Sequence, residues 1–263
     1  MNQGPDRNRN ELRLPVSSRP ASGALFALLL VLSLTQPRTS AAETVVLIPS
    51  QDNTLFETMD GDLSSGVGPS LFFGANSRSN VRRALLAFDL AGIVAGSTID
   101  SVSLRIHVSQ SPNGESQPMT VHRVLASWGE GSSSSQGGAG APAEAGDATW
   151  IHRFYADSLW NSPGGDFLQL ATASALIGSV GFYEMTDSTL ATDVSSWLTH
   201  PEARFGWLLR GNEGVPSSAR RMDSRESADS TLWPRLTVHF TEPVPTRTLT
   251  WGRIKSLFGA SAN

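Results

Sequence analysis

Residues 99–108, IDSVSLRIHV, alternate by parity. Val102, Leu104, Ile106 and Val108 fall on one parity, while Ser101, Ser103, Arg105 and His107 fall on the other. An extended chain, whose successive side chains point to opposite faces, turns that parity into one apolar and one wet surface. A helix would scatter the same residues around its axis. Residues 235–240 (RLTVHF) repeat the pattern, with Leu236, Val238 and Phe240 on one side. Residues 84–89 (ALLAFD) are nearly all apolar, which predicts a strand in the middle of a sheet.

Shorter runs predict further strands at 44–49, 71–73, 119–125, 181–185, 206–211 and 219–224. Turn residues separate them. The turn at Ser111-Pro112-Asn113-Gly114 predicts that the strands on either side pair as a hairpin. One helix is expected at 193–200, with Asp193 as N-cap and Pro201 ending it.

The 23 residues from Trp128 to Trp150, WGEGSSSSQGGAGAPAEAGDATW, hold no large apolar residue between the two tryptophans. By composition alone they are a flexible linker between domains. The strand count argues otherwise. Neither flank has enough strands to close a sandwich, and sandwich strands pair across long sequence distances. The expected fold is therefore all-β: a jelly-roll-like antiparallel β-sandwich over residues 43–241. It carries one short helix and a long Gly/Ser/Ala-rich internal loop at 128–166. The ends of the 128–150 stretch are expected to be anchored and residues 132–145 to be mobile.

Residues 1–42 read as a secretory signal peptide. Arg7, Arg9, Arg13 and Arg19 precede the apolar run 24–34, and Ser40-Ala41-Ala42 offers a cleavage site after Ala42. The apolar run is too short to span a bilayer. Without those 42 residues the chain has 15 basic and 22 acidic residues, a net charge of −7. Lys255 is its one lysine. That balance argues against nucleic acid and anionic membranes as partners, and a polyanionic ligand would need a local arginine patch. The chain has no cysteine, which removes thiol nucleophiles and zinc–thiolate sites. About 200 residues can bury a sufficient core without disulfides. The tail, 242–263, places Trp251, Ile254, Leu257 and Phe258 on one helical face and reads as a weakly packed terminus or a surface-attachment signal.

Several segments together resemble the DNRLRE domain, also described as carbohydrate-binding module family 96. They are ALLAFDL with GSTIDSVSLRIHV, Trp-Gly-Glu-Gly at 128–131, GDATW at 146–150, DVSSWLTHP with FGWLLRGNE over 193–213, and SRES with WPRLTVHF over 224–240. Asp223-Ser224-Arg225-Glu226 echoes part of the motif that gives the family its name. The resemblance implies a secreted bacterial β-sandwich that binds polysaccharide, an acidic one such as alginate, and has no catalytic centre.

On that reading aromatic rings are platforms for the apolar faces of sugars, and arginines meet carboxylates. Trp150, Tyr155 and Trp160, in loop territory, are the expected ring contacts. Arg82, Arg221 and Arg225 are the expected cationic ones. Trp197, Trp207 and Trp233 read as core. Asp52, Asn53, Asp60 and Asp62 offer hard oxygen ligands close in sequence and are the expected site of a structural calcium. No HxH or HxxxH pair supports a histidine zinc site, and no G-x-S-x-G elbow occurs. Glu130, Asp147, Asp157 and Asp166 flank the central loop and keep a glycoside hydrolase or lyase in view. A structural or adhesive module held at the surface by its tail is the other alternative to a carbohydrate-binding one.

Overall fold

In the computed structural model of the protein, the structure describes residues 41–244. The expected signal peptide up to residue 40 and the tail from 245 lie outside the described residues. The strands in chain order are β1 (Ala42–Leu47), β2 (Pro49–Phe56), β3 (Leu63–Ser64), β4 (Ser70–Ala75), β5 (Val81–Phe88), β6 (Thr98–Gln110) and β7 (Gln117–Arg123). Then come β8 (Ala141–Pro142), β9 (His152–Phe154), β10 (Ser158–Leu159), β11 (Ala173–Ile177) and β12 (Gly181–Thr186). A helix, α1 (Ser188–Thr199), precedes β13 (Trp207–Arg210), β14 (Arg220–Asp223) and β15 (Arg235–Thr241). Every pairing is antiparallel, and eleven of the strands join in one sheet that curls on itself.

The curl makes two layers. In one, β1, β15, β6 and β12 lie side by side, with β14 and β4 continuing the sheet. In the other, β2 pairs with β5, then β13, β7 and β11 follow. β4 belongs to both, pairing with β14 and with β5. This is the expected jelly-roll-like sandwich. The parity of β6 and β15 decides what faces inward: Leu104 opposes Leu236 and Val102 opposes Val238. These side chains meet Ala84, Leu86 and Phe88 of β5 and Trp207 and Leu209 of β13 in the main core. Trp197 and Trp207 pack with ring centroids 4.6 Å apart, as their reading as core requires. Trp233 is only half-buried, with its indole N–H donated to Ser227 O.

Two local expectations are corrected. β6 and β7 do not form a hairpin. β6 pairs with β12, β14 and β15, while β7 pairs with β11 and β13, so the turn at 111–114 carries the chain from one layer to the other. The helix starts earlier than predicted, with Asp187 as its N-cap accepting from Thr189 N–H. Asp193 is buried inside the helix, where it accepts from Trp207 Nε1 and Thr172 Oγ1, each at 2.8 Å.

The low-complexity stretch lies within the sandwich, as the strand count implied. Residues 125–167 lie over the outer face of β5 and β13. There Leu55, Leu85, Ala87 and Leu208 meet Val124, Trp128, Ala148 and Trp160 in a second apolar cluster. β5 is therefore covered on both faces, which is why ALLAF shows no alternation. Residues 132–145 are not a free span. Ser133 and Ser135 are buried, Val67 N–H donates to Ser133 O at 2.9 Å, and Ala143 N–H donates to Asp62 O at 2.8 Å. The glycines at its start permit close approach. A Cβ on Gly129 would lie 1.9 Å from Gly146 O, and one on Gly131, at φ +71°, would lie 1.5 Å from Asp147 Oδ1. Among the described residues no helix is long and apolar enough to cross a membrane.

Trp160 tests whether this covering is part of the folded unit. The substitution Trp160→Ala empties the second cluster and is expected to cost about 3 kcal/mol or more, measured by urea unfolding. A single transition shifted to lower denaturant is the expected result. An unchanged midpoint would mean the segment unfolds apart from the sandwich.

Candidate functional site

Three paired positions on adjacent strands bring polar and aromatic side chains together around a pocket. Phe72 of β4 opposes Arg221 of β14, which opposes Gln110 of β6. Residues directly opposite on antiparallel strands present their side chains on one face. Arg82, at the start of β5, reaches the same place, as do Asn76 and Ser77 of the β4–β5 turn and Gly138 of the covering segment. Together they line a pocket of about 370 Å³.

The two arginines there are held by uncharged acceptors. Arg82 donates from Nε to Gly138 O and from Nη1 to Val81 O, and its guanidinium lies 5.0 Å from the Phe56 ring centroid. Arg221 donates from Nε to Ser109 Oγ at 3.1 Å. Among the described residues neither is in a salt bridge. Burial lowers the Arg82 pKa below the ordinary arginine value, with the Glu57 charge acting the other way. A desolvated guanidinium with no carboxylate in salt-bridge contact is incompletely compensated, and an anion in the pocket would add to what Glu57 supplies.

A second, more open pocket of about 540 Å³ lies across the β4–β5 turn. Trp150, Ile151, Pro163, Met59 and Asn80 line it. Trp150 is half-buried, and Arg83 lies over its ring, with the guanidinium carbon 4.8 Å from the ring centroid. Arg83 is itself fixed: Nε and Nη2 donate to the two oxygens of Glu213 at 2.7 and 3.1 Å, and Nη1 donates to Gly164 O at 2.7 Å. Burial pushes the Glu213 carboxyl up, but Arg83 and Arg210 together outweigh it and hold its pKa below the ordinary value.

The other expected contacts lie elsewhere. Trp160 is buried at 5 % exposure, with its indole N–H donated to Thr149 O, so it is core and not a platform. Tyr155 lines neither pocket and packs edge-on to His152. Arg225 is drawn into an internal network. Its guanidinium bonds both oxygens of Glu130 and contacts Glu226 Oε1 at 2.9 Å. Burial would lower its pKa, but Glu130 and Glu226 raise it above the ordinary value.

The four expected calcium ligands do not converge. Asp52 and Asn53 are consecutive on β2, so their side chains leave opposite faces. Asn53 Oδ1 accepts from Thr54 N–H, Ser64 Oγ and Ser65 N–H, and its Nδ2 donates to Glu130 O. Asp60 and Asp62 sit exposed on the following loop, where Asp62 Oδ1 accepts from Thr58 Oγ1 at 3.3 Å. What approaches Asp52 instead is Glu130 and Glu226, far away in sequence. Burial first, then Glu226 and Glu130, raises the Asp52 pKa well above the ordinary value. Of the remaining carboxylates near the central loop, Asp147 accepts from Glu144 N–H at 2.7 Å and Asp166 from Asn161 and Ser162 N–H groups. Both thereby close loop turns.

Phe72, Gln110 and Asn76 were missed in the sequence. Phe72 lies among the apolar residues of LFF, and only cross-strand register, which the sequence does not state, puts it beside Arg221. Compared with known proteins, the chain matches no family model and no curated protein sequence. The DNRLRE resemblance rests on the motifs quoted above.

Glu213 gives a pH-dependent test. Its carboxyl has a depressed pKa in the folded state, so its stabilisation is present above the ordinary carboxylate pKa and lost as pH falls through the lower folded value. At pH 7, Glu213→Gln is expected to cost about 1–3 kcal/mol by leaving charged donors unmet. In urea unfolding across pH, the gap to the wild type should narrow as pH falls below the ordinary carboxylate pKa and close below the lower folded value. A gap independent of pH would contradict this role.

Proposed function

We propose that the protein is a non-catalytic carbohydrate-binding module that takes an acidic polysaccharide in the Arg82–Arg221 pocket. One observation carries the reading: two arginines that form no salt bridge among the described residues share a pocket with the Phe72 ring and the Asn76 and Gln110 side-chain amides. A uronate unit offers matching groups. Its carboxylate can take charge-assisted hydrogen bonds from guanidinium groups, its hydroxyls can bond the amides, and its apolar face can lie against a ring.

The size of the patch fits a chain with net charge −7 outside the expected leader. Two local guanidinium groups can hold one carboxylate, but the surrounding field opposes a densely charged polymer, so binding should be moderate. Trp150 supports an extended ligand. Its pocket contains Ser79 and Asn80, while the arginine pocket contains Asn76 and Ser77, so the two flank one turn. A polymer crossing that turn could meet both. The expected leader, residues 1–42, agrees with action outside the cell.

Affinity electrophoresis of the protein against alginate, pectate and neutral glucans tests this. Retardation by uronate polymers alone is expected. Arg221→Ala should weaken it by about tenfold or more, as loss of a hydrogen bond to a charged group implies. Retention by neutral glucans equal to that by uronates, or wild-type retention by Arg221→Ala, would contradict the proposal.

A further inference from the structure

Asp52, Glu130 and Glu226 each bring one carboxylate oxygen to a common point, with those atoms within 4.8 Å of one another. They come from three separate places: β2, the start of the covering segment, and the turn after β14. Asp52 is completely buried. The Glu130 and Glu226 side chains are 15 % and 22 % exposed.

The donors around this cluster are too few. Glu130 Oε1 accepts from Asp52 N–H at 2.8 Å and from Arg225 Nε, and Oε2 accepts from Arg225 Nη2. Asp52 Oδ2 accepts from Arg225 N–H at 3.0 Å. Glu226 Oε1 meets Arg225 Nε at 2.9 Å. That leaves Asp52 Oδ1 and Glu226 Oε2, both buried and both without a hydrogen-bond partner. Orphaned buried acceptors are rare in folded proteins and call for a partner. Asp52 Oδ1, on a fully buried side chain, is the stronger of the two signs.

Charge decides what that partner is. Burial and mutual repulsion disfavour charge on Asp52 and Glu226; with all three carboxylates ionised against the one guanidinium of Arg225, two negative charges remain, which a divalent cation would balance. The ligand atoms are all carboxylate oxygens, with no histidine among them and no cysteine in the chain. Such a set suits a hard cation and not zinc or copper. Ligands from three distant segments, two of them loops, suit the variable geometry of calcium better than the strict octahedron of magnesium.

We propose that Asp52, Glu130 and Glu226 bind one Ca²⁺ ion, with Asp52 Oδ1 and Glu226 Oε2 as its principal protein ligands. The ion ties β2, the covering segment and the β14–β15 connection together. It lies apart from the arginine pocket and does not depend on the saccharide reading.

The test uses the full chain, freed of metal with EDTA and dialysed at pH 7.5. Calcium titration followed by calorimetry is expected to show one site. Thermal unfolding should show a saturable rise in the midpoint, with magnesium much less effective. Asp52→Asn should abolish both signals. Glu226→Gln, at a partly exposed position, should weaken binding by about tenfold or more, since even outer-sphere changes at metal sites cost that much. It also serves if Asp52→Asn fails to fold. The proposal is overturned if the metal-free wild type shows no calcium-dependent shift at millimolar calcium. It is equally overturned if the shift persists unchanged in Asp52→Asn or in Glu226→Gln, or if magnesium matches calcium.

Discussion

The hydrogen bonds between β2 and Glu130 join the covering segment to the sandwich. Asn53 spends its whole amide there: its oxygen takes three donors from residues 54, 64 and 65, and its nitrogen donates to Glu130 O at 2.8 Å. In return the Glu130 side chain accepts from Asp52 N–H. All of this happens on fully buried residues of β2, where an unmet polar group costs about 1–3 kcal/mol. The exchange orients Trp128 two residues earlier, whose indole N–H donates to Phe205 O at 2.8 Å. It also sets where Gly138 arrives beside Arg82 and Phe72. The arginine pocket thus has one wall from the sandwich and one from the covering segment.

A sheet layer with apolar clusters on both faces follows from the same geometry. Leu86 and Leu85, neighbours on β5, enter different cores. Antiparallel sheets commonly leave one face wet; here the covering segment, built around a 129–149 stretch without a large apolar residue, covers the second. It manages this with three tryptophans at or beyond its ends, Trp128, Trp150 and Trp160, and with backbone hydrogen bonds in between. Gly129 and Gly131 allow the backbone to approach residues 146–147 too closely for any side chain.

Much of the fold was legible because periodicity survives in the sequence. β6 and β15 announced their inward residues by parity, and the apolar run of β5 announced its central place. The helix was legible in kind but not in extent, because Asp187 and Asp193 are chemically equivalent caps until burial of Asp193 against Trp207 separates them. Pairing was less legible. The Ser-Pro-Asn-Gly turn fits a hairpin, and only the competition for partners along β6 shows that it bridges layers. Site residues fared unevenly for a similar reason. Arg82 and Arg221 share one pocket, as an acidic ligand would require. Arg225 looks the same in sequence, yet Glu130 and Glu226 consume it. The acidic triad was half-visible: Asp52 was marked as a ligand, but its companions lie 78 and 174 positions further along, beyond the reach of any local motif.

Residue-resolved hydrogen exchange tests the central claim most directly, namely that the Gly/Ser/Ala segment is a layer of the folded domain. The amides of Asp52, Gly129 and Ala148, donated to Glu130 Oε1, Arg153 O and Gly129 O, should exchange only through global unfolding, as slowly as those of Leu85 and Leu86 in β5. If Gly129 and Ala148 instead exchange at the rates of an unstructured peptide while β5 stays protected, the segment is a linker after all and the pocket loses its second wall.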